Sequence, residues 1–69
     1  MAELSITITQ VTEQDYDGAN EDIKMLKAEI DGVCIDEQYS IDATISDTIA
    51  KDNFKTVLTD LGYIWNTEI

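Results

Sequence analysis

Ala19-Asn-Glu-Asp-Ile-Lys-Met-Leu-Lys-Ala-Glu-Ile-Asp-Gly-Val33 is the stretch on which the fold turns. Ala19, Ile23, Leu26 and Ile30 recur at spacings of four, three and four, which lays them along one face of a helix. Asp17 or Asn20 can serve as its N-cap, and Glu21 and Asp22 in the first turn suit the positive end of the helix dipole. Lys24 and Lys27 lie toward the other end, where cations are favoured, and Gly32 reads as the glycine that closes the helix. The stretch is therefore expected to be helical.

On its N-terminal side, Leu4-Ser-Ile-Thr-Ile-Thr9 alternates apolar and hydroxyl residues, the pattern of a half-buried strand with Leu4, Ile6 and Ile8 inward and Ser5, Thr7 and Thr9 outward. On its C-terminal side, Val33-Cys-Ile35 reads as a short strand and Asp36–Ser40 as a connection. Ile41, Ala43 and Ile45 alternate with Asp42, Thr44 and Ser46 as a third strand. A second helix begins between Asp47 and Lys51 and carries Phe54, Val57, Leu58 and Leu61, with Gly62 at its end. Tyr63–Trp65, extending toward Ile69, is the last candidate strand.

The resulting order is β-α-β-β-α-β. It implies a ferredoxin-like α+β domain spanning residues 1–69, an antiparallel sheet with both helices on one face. Its other face would carry Ser5, Thr7, Thr9, Asp42 and Thr44.

Ile30-Asp-Gly-Val33 and Asp60-Leu-Gly-Tyr63, each at the end of an expected helix, resemble the heavy-metal-associated domains of copper chaperones and metal-pumping ATPases. The resemblance implies the same element order and a metal held by two cysteines between the first strand and first helix. Here Tyr16 and Ala19 stand roughly where those cysteines fall, and the only thiol, Cys34, lies on a different element. A soft metal needs thiolates. The resemblance thus implies a degenerate relative, a docking module or weak metal binder.

Charge is the strongest compositional signal. Fifteen Asp and Glu against four Lys and no His or Arg leave a net charge of −11 on 69 residues. Such a surface repels nucleic acid and anionic membranes and complements basic partners or cations; it also keeps a small protein soluble. At this length the chain forms one small core. One cysteine cannot make an internal disulfide, and neither a signal peptide nor a membrane span is legible, so a cytoplasmic location is expected.

The acidity concentrates in Glu13-Gln-Asp-Tyr-Asp-Gly-Ala-Asn-Glu-Asp22, five carboxylates in ten residues. Aligned with an EF-hand loop, Glu13, Asp15, Asp17 and Gly18 take the first, third, fifth and sixth positions. The last position then falls on Lys24, where a bidentate Glu is required. Catalysis finds little footing, with no histidine and no phosphate-binding glycine loop; Cys34 reads as a small core or sheet residue. RNA binding on an open sheet face calls for stacked aromatics and basic residues, and the outward positions offer Ser, Thr and Asp.

What remains is a non-catalytic binding protein without a cofactor. Its candidate contact residues are Glu13, Asp15, Tyr16, Asp17, Glu21 and Asp22 on one connection, and Asp36 and Glu37 on another. Carboxylates so arranged can imitate a phosphate backbone and occupy the basic groove of a nucleic-acid-binding protein. Small viral inhibitors of host defence share this composition. Tyr16 would be an aromatic anchor within the acidic rim.

Overall fold

The computed structural model describes residues 2–14 and 16–69. It has four strands and one helix in the order β1 (Glu3–Gln14), β2 (Asn20–Ile30), β3 (Val33–Asp42), α1 (Asp47–Asp60) and β4 (Thr67–Glu68). The sheet order is β3-β2-β1-β4. β1, β2 and β3 form an antiparallel meander, and β4 runs parallel to β1.

This corrects the ferredoxin-like expectation at its first helix: Ala19–Ile30 lies in the turn before β2 and in the central strand. Leu4, Ile6 and Ile8 pair with Ile30, Ala28 and Leu26, and Leu26 pairs on its other side with Tyr39. The helical spacing of Ile23, Leu26 and Ile30 coincides with a second pattern of period two. Lys24, Leu26, Ala28 and Ile30 face the helix, while Ile23, Met25, Lys27 and Glu29 face the open side. The two lysines assigned to one helix end therefore stand on opposite faces of a sheet.

Asp31 and Gly32 decide the matter locally. Their φ angles are 53° and 79°, and Ile30 pairs with Val33 across them. Two consecutive positive φ angles make the two-residue hairpin turn whose twist matches that of the flanking strands. Asp31 also fastens the turn to the start of β1: its N–H donates to the Glu3 carbonyl at 2.9 Å, and its Oδ1 accepts from the Glu3 N–H at 2.8 Å. A Cβ at Gly32 would meet nothing within 4 Å, so a substitution there strains only the backbone. Gly32→Val is expected to lower Tm by about 5–10 °C, since the left-handed region costs an ordinary residue ~1–2 kcal/mol and a β-branched one more. A thermal melt within a degree of wild type would contradict this turn.

Downstream, the expected short strand, connection and third strand merge into β3, with Asp36–Ser40 in its middle and Ala43 and Ile45 beyond its end. Ile35, Tyr39 and Ile41 pack against the core. The register slips between Lys27 and Glu29, a bulge that places Asp36 and Glu37 near Ala28. Thr44, expected on the open face, instead donates its N–H and hydroxyl to Asp42 Oδ1 at 2.8 and 2.7 Å.

The second expected helix is present as α1. Ser46 caps it, its Oγ accepting from the Ile49 N–H at 3.2 Å. At the other end Gly62, with φ 96°, lets its own N–H and that of Tyr63 reach the Thr59 and Leu58 carbonyls at 3.0 Å. The inner face is Ala50, Phe54 and Leu58, all fully buried, whereas Val57 and Leu61 are exposed. Together with Leu4, Leu26 and Ala28 they make up the buried core among the described residues. The Phe54 ring stacks on Tyr39 with centroids 5.7 Å apart and planes 11° from parallel.

The chain after α1 is not a strand at Tyr63–Trp65; Tyr63 and Trp65 pack against the core, and strand pairing begins at Thr67, opposite Glu3. Lys55 ties this end to the helix through a 2.8 Å contact with Glu68. That hydrogen bond raises the Lys55 pKa above 10.5, more than desolvation lowers it. Among the described residues no helix is long and apolar enough to cross a membrane.

Candidate functional site

The acidic stretch is the far end of the β1–β2 hairpin. β3 stays paired with β2 as far as Ile23, which faces Asp42, with one further bond from the Ala43 N–H to the Asp22 carbonyl at 3.1 Å, and β4 with Ile69 covers the edge of β1 at its start, at Glu3 and Leu4. Beyond those points β1 and β2 continue as a two-stranded ribbon to the Gln14–Asn20 pair. The molecule is accordingly elongated, 46 Å by 21 Å by 20 Å. Such a ribbon is marginal by itself and is held by its own ladder and by its continuity with the three-stranded part of the sheet.

Cross-strand register brings the carboxylates together. Glu13 pairs with Glu21. Odd-numbered residues of β1 direct their backbone groups toward β2, as the Asp31 N–H to Glu3 carbonyl bond shows, so Glu13 and Glu21 form a hydrogen-bonded pair with both side chains on the open face. Their Cα atoms then lie ~5.5 Å apart. Like charges at that separation disfavour the ribbon, and a cationic partner relieves the repulsion. Asp22 lies on the opposite face, its Oδ1 accepting from the Thr12 hydroxyl at 2.7 Å. Gln14 Nε2 donates to the Gly18 carbonyl at 3.2 Å, and Gly18, at φ 81°, supplies the bend of the tip. Asp17 is exposed, and Tyr16 projects fully into solvent at 106% relative exposure. Asp15 lies outside the described residues.

From Gln10 to Ile23 the sequence holds five carboxylates and no cation. The first lysine, Lys24, is engaged where the ribbon joins the body. Its Nζ donates to the Ile45 carbonyl at 2.6 Å and contacts Asp47 Oδ1 at 2.8 Å. This hydrogen bond, with the attraction of the same ammonium, holds the Asp47 carboxyl below 3.8. Its contribution to stability is present above that value and is lost as pH falls through the lowered one. Asp42 is held below 3.8 by its bonds from the Thr44 hydroxyl and N–H. Both carboxylates stay ionised at neutral pH and extend the acidic zone to the root of the arm. The sequence alone did not point to them, because the register that brings Asp42 beside Ile23 requires the meander.

Asp36 and Glu37 stand apart from this cluster. They sit on β3 near Ala28, about seven residues along the sheet from Glu21, a separation of ~20 Å or more. There they border the free edge of an outer strand, where a bulge and charges discourage pairing with other chains. Cys34, expected in a core or a sheet, is a sheet residue but an exposed one, its Sγ 3.5 Å from Glu29 Oε1. It borders a groove of about 510 Å3 between the Asp31–Gly32 turn and the end of α1, lined by Ile30, Val33, Tyr63 and Ile64 among others. No group of three or more acidic or sulfur ligands among the described residues is arranged to hold a metal ion.

The arrangement is thus an anionic arm with an aromatic tip, carried on a small α+β body. Comparison of the chain with protein-family models, with curated proteins and with solved structures gives no match.

Proposed function

We propose that the chain is a non-catalytic binding protein whose β1–β2 arm engages a basic protein surface. Glu13, Asp17 and Glu21 supply the charge together with Asp15, and Tyr16 is the anchor at the tip. The observation that carries this reading is the register: Glu13 and Glu21 face each other on a ribbon with no cation between Gln10 and Ile23. A partner rich in Lys and Arg gains Coulomb attraction and releases the arm from its own repulsion.

The class of basic surface that best fits a narrow anionic arm is a groove that otherwise takes nucleic acid, where the Glu13–Glu21 pair and the acidic tip stand in for phosphates. Affinity capture from a lysate at low ionic strength, with elution by rising salt, tests this reading. The expected eluate contains a nucleic-acid-binding protein whose capture is abolished by excess duplex DNA or by RNA. Captured proteins that bind equally well in the presence of both nucleic acids would refute the mimicry.

A further inference from the structure

We propose that the outer edge of β1, from Ile8 to Gln14, takes up a cationic β-strand of the partner in antiparallel pairing, so that the arm binds through its backbone as well as its carboxylates. This rests on the arm being the contact and states how the contact is made.

Even-numbered residues of β1 turn their backbone groups away from β2. At the start of the strand the last segment of the chain takes these groups up: the Ala2 carbonyl accepts from the Asn66 and Thr67 N–H groups, and the Leu4 carbonyl from that of Ile69 at 2.8 Å. Past that segment no strand among the described residues lies on this side of β1. The outward N–H and C=O groups of Ile8, Gln10 and Thr12 have no partner among the described residues. An unpaired strand edge is a template for another strand unless proline, charge or a bulge blunts it. On β3 the bulge, Asp36 and Glu37 do so. On β1, Leu4–Thr12 is uncharged over nine residues, the longest such run in a chain of net charge −11.

The carboxylates at the end of that run decide which strand the edge admits. Glu13 directs its backbone groups toward β2, so on the outer side it takes a non-hydrogen-bonded position, where facing residues come closest, with Cα atoms ~4.5 Å apart. Glu21 stands in the same row, one strand further on, ~9.6 Å from the incoming backbone. On the other face Thr12 pairs with Asp22, whose Oδ1 accepts from the Thr12 hydroxyl, and a carboxylate has further lone pairs to offer. An incoming residue opposite Glu13 thus meets two carboxylates, and its neighbour opposite Thr12 lies near a third. Lys or Arg is attracted at both positions, and Asp or Glu is repelled. A second copy of the chain would bring its own acidic hairpin and is turned away.

Farther from the tip the edge is neutral. The incoming strand there faces Val11 and Thr9 on the open side and Gln10 and Ile8 on the helix side, with Ile8 and Val11 half-buried. β-branched residues fit such positions. The occupant is therefore basic at one end and β-branched at the other. Running antiparallel, it starts with its basic end beside Gln14 and stops at Ile8, which leaves Ile6 between it and Ile69.

An NMR titration of isotope-labelled protein at low ionic strength with the capped peptide Lys-Arg-Lys-Val-Thr-Val-Ile tests the pairing. Its three cations fall opposite Gln14, Glu13 and Thr12. Binding is expected with Kd of roughly 0.1–1 mM, and the Ile8, Gln10 and Thr12 amide protons should move downfield as they become hydrogen-bonded. Methylating the peptide nitrogens opposite those three residues keeps the charge, removes the donors and is expected to weaken binding at least ~10-fold. Gln10→Pro removes an edge N–H without touching the β1–β2 ladder and should weaken binding as much, with an unchanged far-UV spectrum; Ser40→Pro, the same change on the outer edge of β3, should stay within about 2-fold of wild type. Glu in place of the three basic residues of the peptide should abolish binding. Equal affinity for the methylated and unmethylated peptides would overturn the strand pairing and leave the arm a purely electrostatic contact. Edge amides that do not shift at millimolar peptide overturn the pairing as well, whereas the arm's role as the contact stands or falls with the lysate capture. The same shifts on concentrating the protein alone would make a second copy the occupant and also overturn the proposal.

Discussion

Phe54→Ala is expected to leave most of the chain unfolded at room temperature. Phe54 is fully buried in a core of six residues among those described, and its ring stacks on Tyr39, so the helix and the third strand meet through it. Truncating a buried Phe costs ~3–5 kcal/mol, the transfer term plus the cavity left behind. A 69-residue chain has a total stability of only ~3–10 kcal/mol at the usual yield per residue. Self-repulsion from a net charge of −11 places this chain toward the lower part of that range. The remaining core cannot compensate, because Ala28 and Ala50 contribute little volume and Leu61 on the same helix is 53% exposed. Thermal unfolding followed by far-UV circular dichroism should show the transition lowered by ~20 °C or more, or no native baseline at all. Leu61→Ala, by contrast, should change stability by no more than about 0.5 kcal/mol. A cooperative Phe54→Ala transition within ~5 °C of wild type would mean that the core is not organised around this ring.

The second large effect concerns binding. Replacing Glu13, Asp17 and Glu21 together by lysine is expected to weaken association with the captured partner by about 100-fold or more. Each reversal removes an attraction of roughly 1 kcal/mol and substitutes a repulsion, and 1.4 kcal/mol is a factor of ten. The control is Asp36→Lys, Asp52→Lys and Asp60→Lys, which changes the net charge equally at positions on β3 and α1, away from the arm. If the arm is the contact, the control loses only the long-range part of the attraction, screened beyond ~8 Å at physiological ionic strength, and binds within about 5-fold of wild type. Equal losses in the two triple variants would assign the interaction to net charge and remove the arm from it. The arm triple variant is expected to fold about as well as wild type, because three reversals of two units each lower the net charge from −11 to −5, while positions 13 and 21 still carry like charges across the ribbon. Its melting temperature therefore separates a binding defect from a folding one.

Ala19–Val33 carries the local signals of two different elements. Lys24, Met25, Leu26, Lys27, Ala28 and Glu29 are all good helix formers, and Leu26 and Ile30 fit both a helical stripe with Ile23 and a period-two stripe with Ala28. Intrinsic preference favoured the helix; pairing on both sides by β1 and β3 outweighed it, as tertiary contacts commonly do. One local signal pointed the other way. Asp31-Gly32 between two apolar residues is hairpin-turn chemistry, yet a glycine after an apolar stripe is also how a helix ends. Only the φ of Asp31, 53°, distinguishes the two.

The amino-acid sequence by itself determined the strand at Leu4–Thr9, the helix through Phe54 and Leu58 with its closing Gly62, and the placing of five carboxylates within ten residues. Those features depend on neighbours a few positions away, through alternation, capping and composition. Tertiary structure decided the rest: that the acidic segment is the end of a protruding ribbon, that Glu13 faces Glu21 while Asp36 and Glu37 stand elsewhere, and that past Leu4 no strand among the described residues lies along the outer edge of β1. Each of these depends on which strand lies beside which. Turns such as Asp31-Gly32 set which residues of neighbouring strands pair, while the packing of α1 on Leu4, Leu26 and Ala28 selects the covered face, through contacts between residues too far apart in the chain for any local pattern to encode.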